Sequence, residues 1–148
     1  MKYLSALIVF TVIFFAGSAY AQSPAATGGK SYTYVMKNID GSGVEIIDQI
    51  TFNGNSVTSE KFSSTGFKAG KMTQKSADNG ASNFEVTLQS DTEGSVKMSG
   101  VLTDGTIDGT LISTDTNGAQ TTMAIRGIST TEWNNLQKAK KEYKETQK

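Results

Sequence analysis

The chain has 148 residues, with 14 basic and 14 acidic side chains, and contains neither histidine nor cysteine. Without those two residue types, a Ser-His-Asp triad, a cysteine nucleophile and a zinc site of the usual kind are excluded. The length suits one domain, and the balanced charge lacks the excess of basic residues that is typical of nucleic-acid binding proteins.

Residues 1–21 have the pattern of a secretory signal peptide. Lys2 supplies a positive charge, an apolar run follows, and small residues end at Ala21 in an A-x-A pattern. The apolar run is shorter than the roughly 20 residues of a membrane-spanning helix. We therefore predict cleavage after Ala21, a periplasmic or secreted location, and a mature chain that does not span a membrane. Residues 22–30 predict a flexible leader, and the lack of cysteine is typical of a bacterial envelope protein.

Residues 31–128 predict an all-β domain, an antiparallel up-and-down barrel or half-barrel of about eight strands. Apolar and polar residues alternate, as at Phe84, Val86 and Leu88, and Gly, Asn and Asp turn signals separate the stretches. The predicted strands are Ser31–Ile39, Val44–Phe52, Ser56–Phe62, Phe67–Ser76, Asn83–Gln89, Ser95–Thr103, Thr106–Thr114 and Gln120–Ile128. The third and fourth are weakly patterned, which predicts irregular or edge strands.

Residues 129–148 predict a C-terminal α-helix. Ser129 and Glu132 form a capping-box pattern, and Trp133, Leu136 and Tyr143 recur on one helical face. Two interpretations are open: the helix closes one end of the barrel, or it binds a partner. An outer-membrane barrel is a further alternative, disfavoured because the outward strand positions are polar.

The run Asp48-x-Ile50-x-Phe52-x-Gly54, followed by Ser59 and by Gly66-Phe67, resembles a pattern of small uncharacterised secreted bacterial β-barrel proteins. The stretch "SGVLTDGTIDGTLIS" is similar to a second, glycine-rich element of that family. The resemblance implies a lipocalin-like hairpin layout and an envelope location, and it implies no activity. Lys97 or Met98 stands where that family's pattern has tryptophan.

Asp48 is the unusual residue of the opening strands. It shares a face with Ile46, Ile50 and Phe52, so strict alternation directs its carboxylate inward. An unpaired buried charge is costly. Either the carboxylate accepts hydrogen bonds from backbone amides or from Ser59, or a bulge turns it outward, or it is the polar anchor of a ligand cavity.

Paired carboxylates are a catalytic arrangement that the composition leaves open. The candidates are Glu45, Asp48, Glu60, Glu85, Asp104 and Asp108. Nothing in the sequence pairs them, so we predict no enzymatic activity. The segment "TDGTIDGT" lacks the D-x-D-x-D-G spacing of a calcium loop, so we predict no metal and no cofactor. Asp104-Gly105 predicts a hairpin turn, and Asp108-Gly109 predicts a strand position where a small residue eases packing.

Two functions remain. The first is a lipocalin-like barrel that binds a small hydrophobic or amphipathic molecule. Its predicted lining residues are Tyr32, Tyr34, Met36, Asp48, Phe52, Phe67, Met98 and Met123. The second is a structural or interaction module of the envelope that acts through an edge strand, a homodimer contact or the C-terminal helix. The volume enclosed by the barrel distinguishes the two.

Overall fold

The computed structural model describes residues 29–147, so the predicted signal peptide and most of the leader lie outside it. The strands are β1 (Lys30–Asn38), β2 (Ile46–Asn53), β3 (Ser56–Ser59), β4 (Gly70–Ser76), β5 (Ser82–Ser90), β6 (Gly94–Leu102), β7 (Thr106–Thr114) and β8 (Gln120–Ser129). Helix α1 (Glu60–Ser64) follows β3, a 3-10 turn (Asp78–Gly80) precedes β5, and helix α2 (Thr130–Thr146) ends the described chain.

The eight strands form one closed antiparallel barrel, which confirms the predicted fold class. Each strand pairs with the next, and β1 pairs with β8 to complete the ring. On β1, Tyr34 lies opposite Asp48 of β2 on one side and opposite Gly127 of β8 on the other. Because each strand of the described barrel has a neighbour on both sides, the edge-strand alternative for the third and fourth strands is wrong.

Inward-facing side chains fill the barrel. The ring of Phe52 packs edge-to-face on Tyr32 and on Phe84, with centroid distances of 5.7 and 5.8 Å. Sixteen apolar side chains, each at most 5% exposed, make up this core: Tyr32, Tyr34, Met36, Ile50, Phe52, Val57, Met72, Phe84, Val86, Leu88, Val96, Met98, Leu102, Ile107, Leu111 and Ile125. Burial of this surface is the main stabilising contribution to a domain that has no disulfide.

Two inward glycines allow β6 and β7 to approach each other closely. Gly100 lies opposite Gly109. A Cβ atom on Gly100 would stand 2.1 Å from the Asp108 carbonyl oxygen, and one on Gly109 would stand 2.2 Å from that of Ser99. The strands could not keep this spacing with any larger residue, which agrees with the prediction that a small residue eases packing at Gly109.

The third strand was predicted to end at Phe62 and is shorter in the structure. β3 ends at Ser59, and the chain continues as α1. The Ser59 hydroxyl caps this helix by accepting a 3.1 Å hydrogen bond from the Phe62 amide. A five-residue helix is too short to leave a helical period in the sequence, which is why it was not predicted. The segment then places Phe62 and Phe67 against the core, with ring centroids 5.4 Å apart.

Two strand starts also differ from the prediction. The second strand begins at Ile46, and the side chain of Val44 is 85% exposed in the preceding turn. The fourth begins at Gly70, and before it only Lys68 forms an isolated bridge, to Gln89. In both cases the connecting segment is longer than predicted. Its apolar residues, Val44 and Phe67, have the spacing of strand residues although they precede the strand.

Helix α2 begins where it was predicted to begin, with Ser129 accepting a 3.3 Å hydrogen bond from the Glu132 amide. The interpretation that it closes a barrel end is wrong, because no residue of α2 is buried and none belongs to the core. Leu136 and Tyr143 are 54% and 66% exposed. Neither helix within residues 29–147 combines the length and apolar character that a bilayer crossing requires.

Candidate functional site

The residues predicted to line a ligand cavity belong to the barrel core or pack against it. Six of them, Tyr32, Tyr34, Met36, Asp48, Phe52 and Met98, are buried, while Phe67 and Met123 are partly buried against the core. They pack on one another and on the remaining core side chains. Two grooves, of about 450 and 470 Å³, lie on the outer wall of the barrel.

The Asp48 carboxylate points into the barrel and accepts four hydrogen bonds. Oδ2 accepts one from the Tyr34 phenol at 2.5 Å and one from the Ser59 hydroxyl at 2.6 Å. Oδ1 accepts one from the Gln49 amide at 2.7 Å and one from the Lys61 amide at 2.9 Å. Backbone amides and Ser59 are partners that the sequence predicts, whereas Tyr34 is an additional partner supplied by the neighbouring strand.

These hydrogen bonds stabilise the buried charge and leave no acceptor position of Asp48 free. A carboxylate offers about four lone-pair sites, so its capacity is used by these donors. Burial, and then the Asp48 carboxylate, raise the pKa of Tyr34 far above its ordinary value, which keeps the phenol protonated as a donor. The network connects β1, β2, β3 and α1, so its role in this structure is to hold α1 against the barrel.

Most of the other candidate carboxylates form ion pairs on the outer wall. Glu85 pairs with Lys97 at 3.0 Å, Asp108 with Arg126 at 2.7 Å, Asp104 with Lys30 at 2.5 Å and Glu45 with Lys37 at 3.7 Å. Asp104 and Asp108 therefore contact different cations and do not converge. Within the described residues, no group of three potential metal ligands lies together.

The groove beside Trp133 has a volume of about 450 Å³. It forms because the start of α2 runs along the outside of the barrel, where the Thr33 hydroxyl donates a 3.2 Å hydrogen bond to Thr130. Trp133 is partly buried there. We call this site the Trp133 groove; its lining residues are Thr33, Ile47, Asp48, Gln49, Glu60, Lys61, Trp133 and Asn134.

Sequence reasoning missed the Trp133 groove, because four separate segments of the chain build it. The sequence does mark Trp133, the only tryptophan of the chain, on an amphipathic helix. It contains no sign that Gln49 and Glu60 lie near this ring. That proximity depends on barrel closure and on the direction in which α2 leaves β8.

A second groove, of about 470 Å³, crosses the outer wall over β1, β7 and β8. Its charged lining residues are already paired with each other, Arg126 with Asp108 and Lys37 with Glu45. A ligand would have to compete with both ion pairs. The Trp133 groove is therefore the stronger candidate site.

No family model, curated protein or solved structure matches this chain. The resemblance to secreted lipocalin-like barrels stays a prediction from short motifs.

Proposed function

We propose that this protein is an exported, non-catalytic interaction module of the bacterial envelope, with the barrel as its scaffold and α2 as its binding element. One observation carries the proposal: α2 is 17 residues long and buries none of them. Helices in small domains are normally stabilised by burying an apolar face, and short isolated helices are marginally stable in water. The proposed location rests on the signal-peptide pattern of residues 1–21.

The exposed face of α2 has a defined chemistry. Leu136 and Tyr143 are seven residues apart, so they share one helical face, and both are more than half exposed. Lys140 adjoins this face, four residues after Leu136 and three before Tyr143, and Lys144 directly follows Tyr143. We infer that the partner is another envelope protein with an apolar groove and an acidic rim, which receives the helix lengthwise.

Packing inside the barrel favours this function over binding of a small hydrophobic molecule in the interior. Phe52, Phe84, Leu88 and Leu102 all contribute to the core, and each is at most 3% exposed. A ligand of drug-like size needs a pocket of roughly 300 Å³ or more, so it would have to displace several of these side chains. The outer helix face needs no such rearrangement.

Site-specific photo-crosslinking in cells of the natural host tests the proposal. Benzoylphenylalanine replaces Leu136 in the full chain, and the control carries the same group at Val101, which is 38% exposed on β6. We expect a discrete adduct with a second envelope protein from position 136 only, and its loss in Tyr143→Ser. A product of twice the monomer mass would reassign the surface to a homodimer. No adduct, or the same adducts from position 101, would overturn the proposal.

A further inference from the structure

The Trp133 groove is lined by polar side chains that the rest of the chain does not use. Gln49 and Lys61 hydrogen bond to Asp48 through their backbone amides, so their side chains are not committed there. The six ion pairs formed within residues 29–147 leave out both Glu60 and Lys61. In that same range, no hydrogen bond involves the Trp133 indole N–H. The groove therefore offers an aromatic surface surrounded by free donors and acceptors.

The balance of charge restricts the ligand. Glu60 and Lys61 carry opposite charges, and the Asp48 carboxylate at the floor is already bound by four donors. The two exposed charges therefore cancel, Asp48 has no acceptor position free for a cation, and its own negative charge disfavours an anion. Ile47 is its only aliphatic side chain, so an alkyl chain would bury little apolar surface.

A neutral ligand with one apolar face and many hydroxyl groups fits these properties. The C–H face of a sugar ring can lie flat on an indole, and its hydroxyls can pair with side-chain amides and carboxylates. We propose that the Trp133 groove binds a neutral saccharide, stacked on Trp133 and held by the side chains of Gln49, Glu60 and Asn134. The volume of about 450 Å³ lies within the range of small-molecule sites.

The walls of the groove are fixed before any ligand arrives. Asp48 binds the amide of Gln49 on β2 and the amide of Lys61 in α1, and so sets the distance between these two walls. The Thr33–Thr130 hydrogen bond fixes the start of α2 against β1. Rigid walls reduce the ordering cost of binding, which is how a shallow site can hold a polar ligand. Asp48 is thus a positioning residue for the groove.

Because Trp133 is the only tryptophan, the fluorescence of the predicted mature chain, residues 22–148, reports on this groove alone when it is excited at the red edge of tryptophan absorption, where tyrosine does not absorb. The probes are the N-acetylglucosamine trimer and maltotriose, with trialanine as the non-saccharide comparison. We expect a saturable change with at least one trisaccharide, half complete at about 1 mM or below. Gln49→Leu removes the amide at nearly constant size, and it should weaken binding about tenfold, the effect of one lost hydrogen bond.

The matched control is Gln89→Leu, the same change at an exposed position on β5, which should bind like the wild type. Glu60→Gln, also at an exposed position, provides a second variant that should weaken binding if Gln49→Leu folds poorly. A response to trialanine alone would reassign the groove to peptides and overturn the proposal. So would the absence of any saturable response, or equal binding by both Gln49→Leu and Glu60→Gln. These outcomes are separate from the crosslinking test, which uses Leu136 and Tyr143 on another part of α2.

Discussion

The phenol of Tyr34 donates a 2.5 Å hydrogen bond to the carboxylate of Asp48 inside the barrel. The two residues lie directly opposite each other on β1 and β2. Through the same carboxylate, Ser59 of β3 and Lys61 of α1 are joined to this pair. One buried charge thus connects three strands and a helix, and it also shapes the floor of the Trp133 groove.

Asp48→Ala should lower the free energy of unfolding by about 3 kcal/mol. The substitution leaves the buried hydroxyls of Tyr34 and Ser59 without their acceptor, and α1 loses its connection to β2. Urea unfolding followed by far-ultraviolet circular dichroism measures the change. Hydrogen exchange of the Lys61 amide should become faster in the same variant.

Glu93→Ala is the matched control for Asp48→Ala, because it removes a carboxylate from an exposed turn position. Its effect should stay within about 0.5 kcal/mol. If the two variants had equal stability, the hydrogen bonds to Asp48 would contribute nothing net to folding.

The pKa of Tyr34, raised by burial and then by Asp48, predicts a loss of stability at alkaline pH. Below the ordinary tyrosine pKa of about 10, folded and unfolded chains both keep the proton, and the contribution is fully present. Above it, only the unfolded chain releases the proton, so the unfolding free energy falls by up to about 1.4 kcal/mol per pH unit for this residue. Burial also raises the pKa of Tyr32, which adds to the fall.

Tyr34→Phe should therefore be less stable than the wild type by about 2 kcal/mol at pH 7 and should lose less stability above pH 10. Urea unfolding at intervals between pH 7 and 11 measures how the unfolding free energy of each protein changes with pH. Tyr143→Phe removes an exposed phenol from α2 and should reproduce the wild-type curve. If the unfolding free energies of Tyr34→Phe and the wild type fell in parallel above pH 10, the raised pKa of Tyr34 would not be the cause of the alkaline loss of stability.

Gly100→Ala should destabilise the barrel by about 3 kcal/mol, because the new methyl group would meet the Asp108 carbonyl oxygen. Gly105→Ala is the matched control, since nothing lies within 4 Å of a Cβ at that turn position. The control should change stability by no more than about 0.5 kcal/mol. Thermal unfolding of the two variants compares them directly, and similar midpoints would mean that β6 and β7 can separate at little cost.

Phe52→Ala should cost about 4 kcal/mol and should leave a cavity at the centre of the barrel. Its ring contacts both Tyr32 and Phe84, so neither neighbour can fill the space without losing its own packing. An apolar cavity of this kind binds benzene, which nuclear magnetic resonance titration detects. The wild type should show no such binding. Benzene binding in the interior of the wild type would restore the hypothesis of a ligand inside the barrel.

Local patterns in the sequence predicted much of the fold. The alternation of Phe84, Val86 and Leu88 locates β5, and Asp104-Gly105 locates the turn between β6 and β7. Both signals depend on side chains within a few residues of each other. Helix α1 was missed because it is capped by Ser59 and held by Asp48 rather than by a periodic apolar face.

The candidate site was less accessible to sequence reasoning. The inward direction of Asp48 and its bond to Ser59 follow from alternation and from the nearby hydroxyl. The sequence also marked Trp133 as part of an apolar helix face. It could not separate Trp133, which packs beside the barrel, from Leu136, which remains exposed.

Local sequence patterns predicted the eight strands, most of their turns and the start of the C-terminal helix, and the composition excluded imidazole and thiol chemistry. These features depend on the backbone preferences of single residues, on the periodicity of apolar side chains and on amino-acid composition. All three can be read from short stretches of sequence or from residue counts. Three features became apparent only in the folded chain: the barrel closes, its own side chains fill it, and one groove is lined by Thr33, Gln49, Glu60 and Trp133. Closure and groove formation join segments up to 100 residues apart, and their free energy depends on packing between strands that no local pattern specifies.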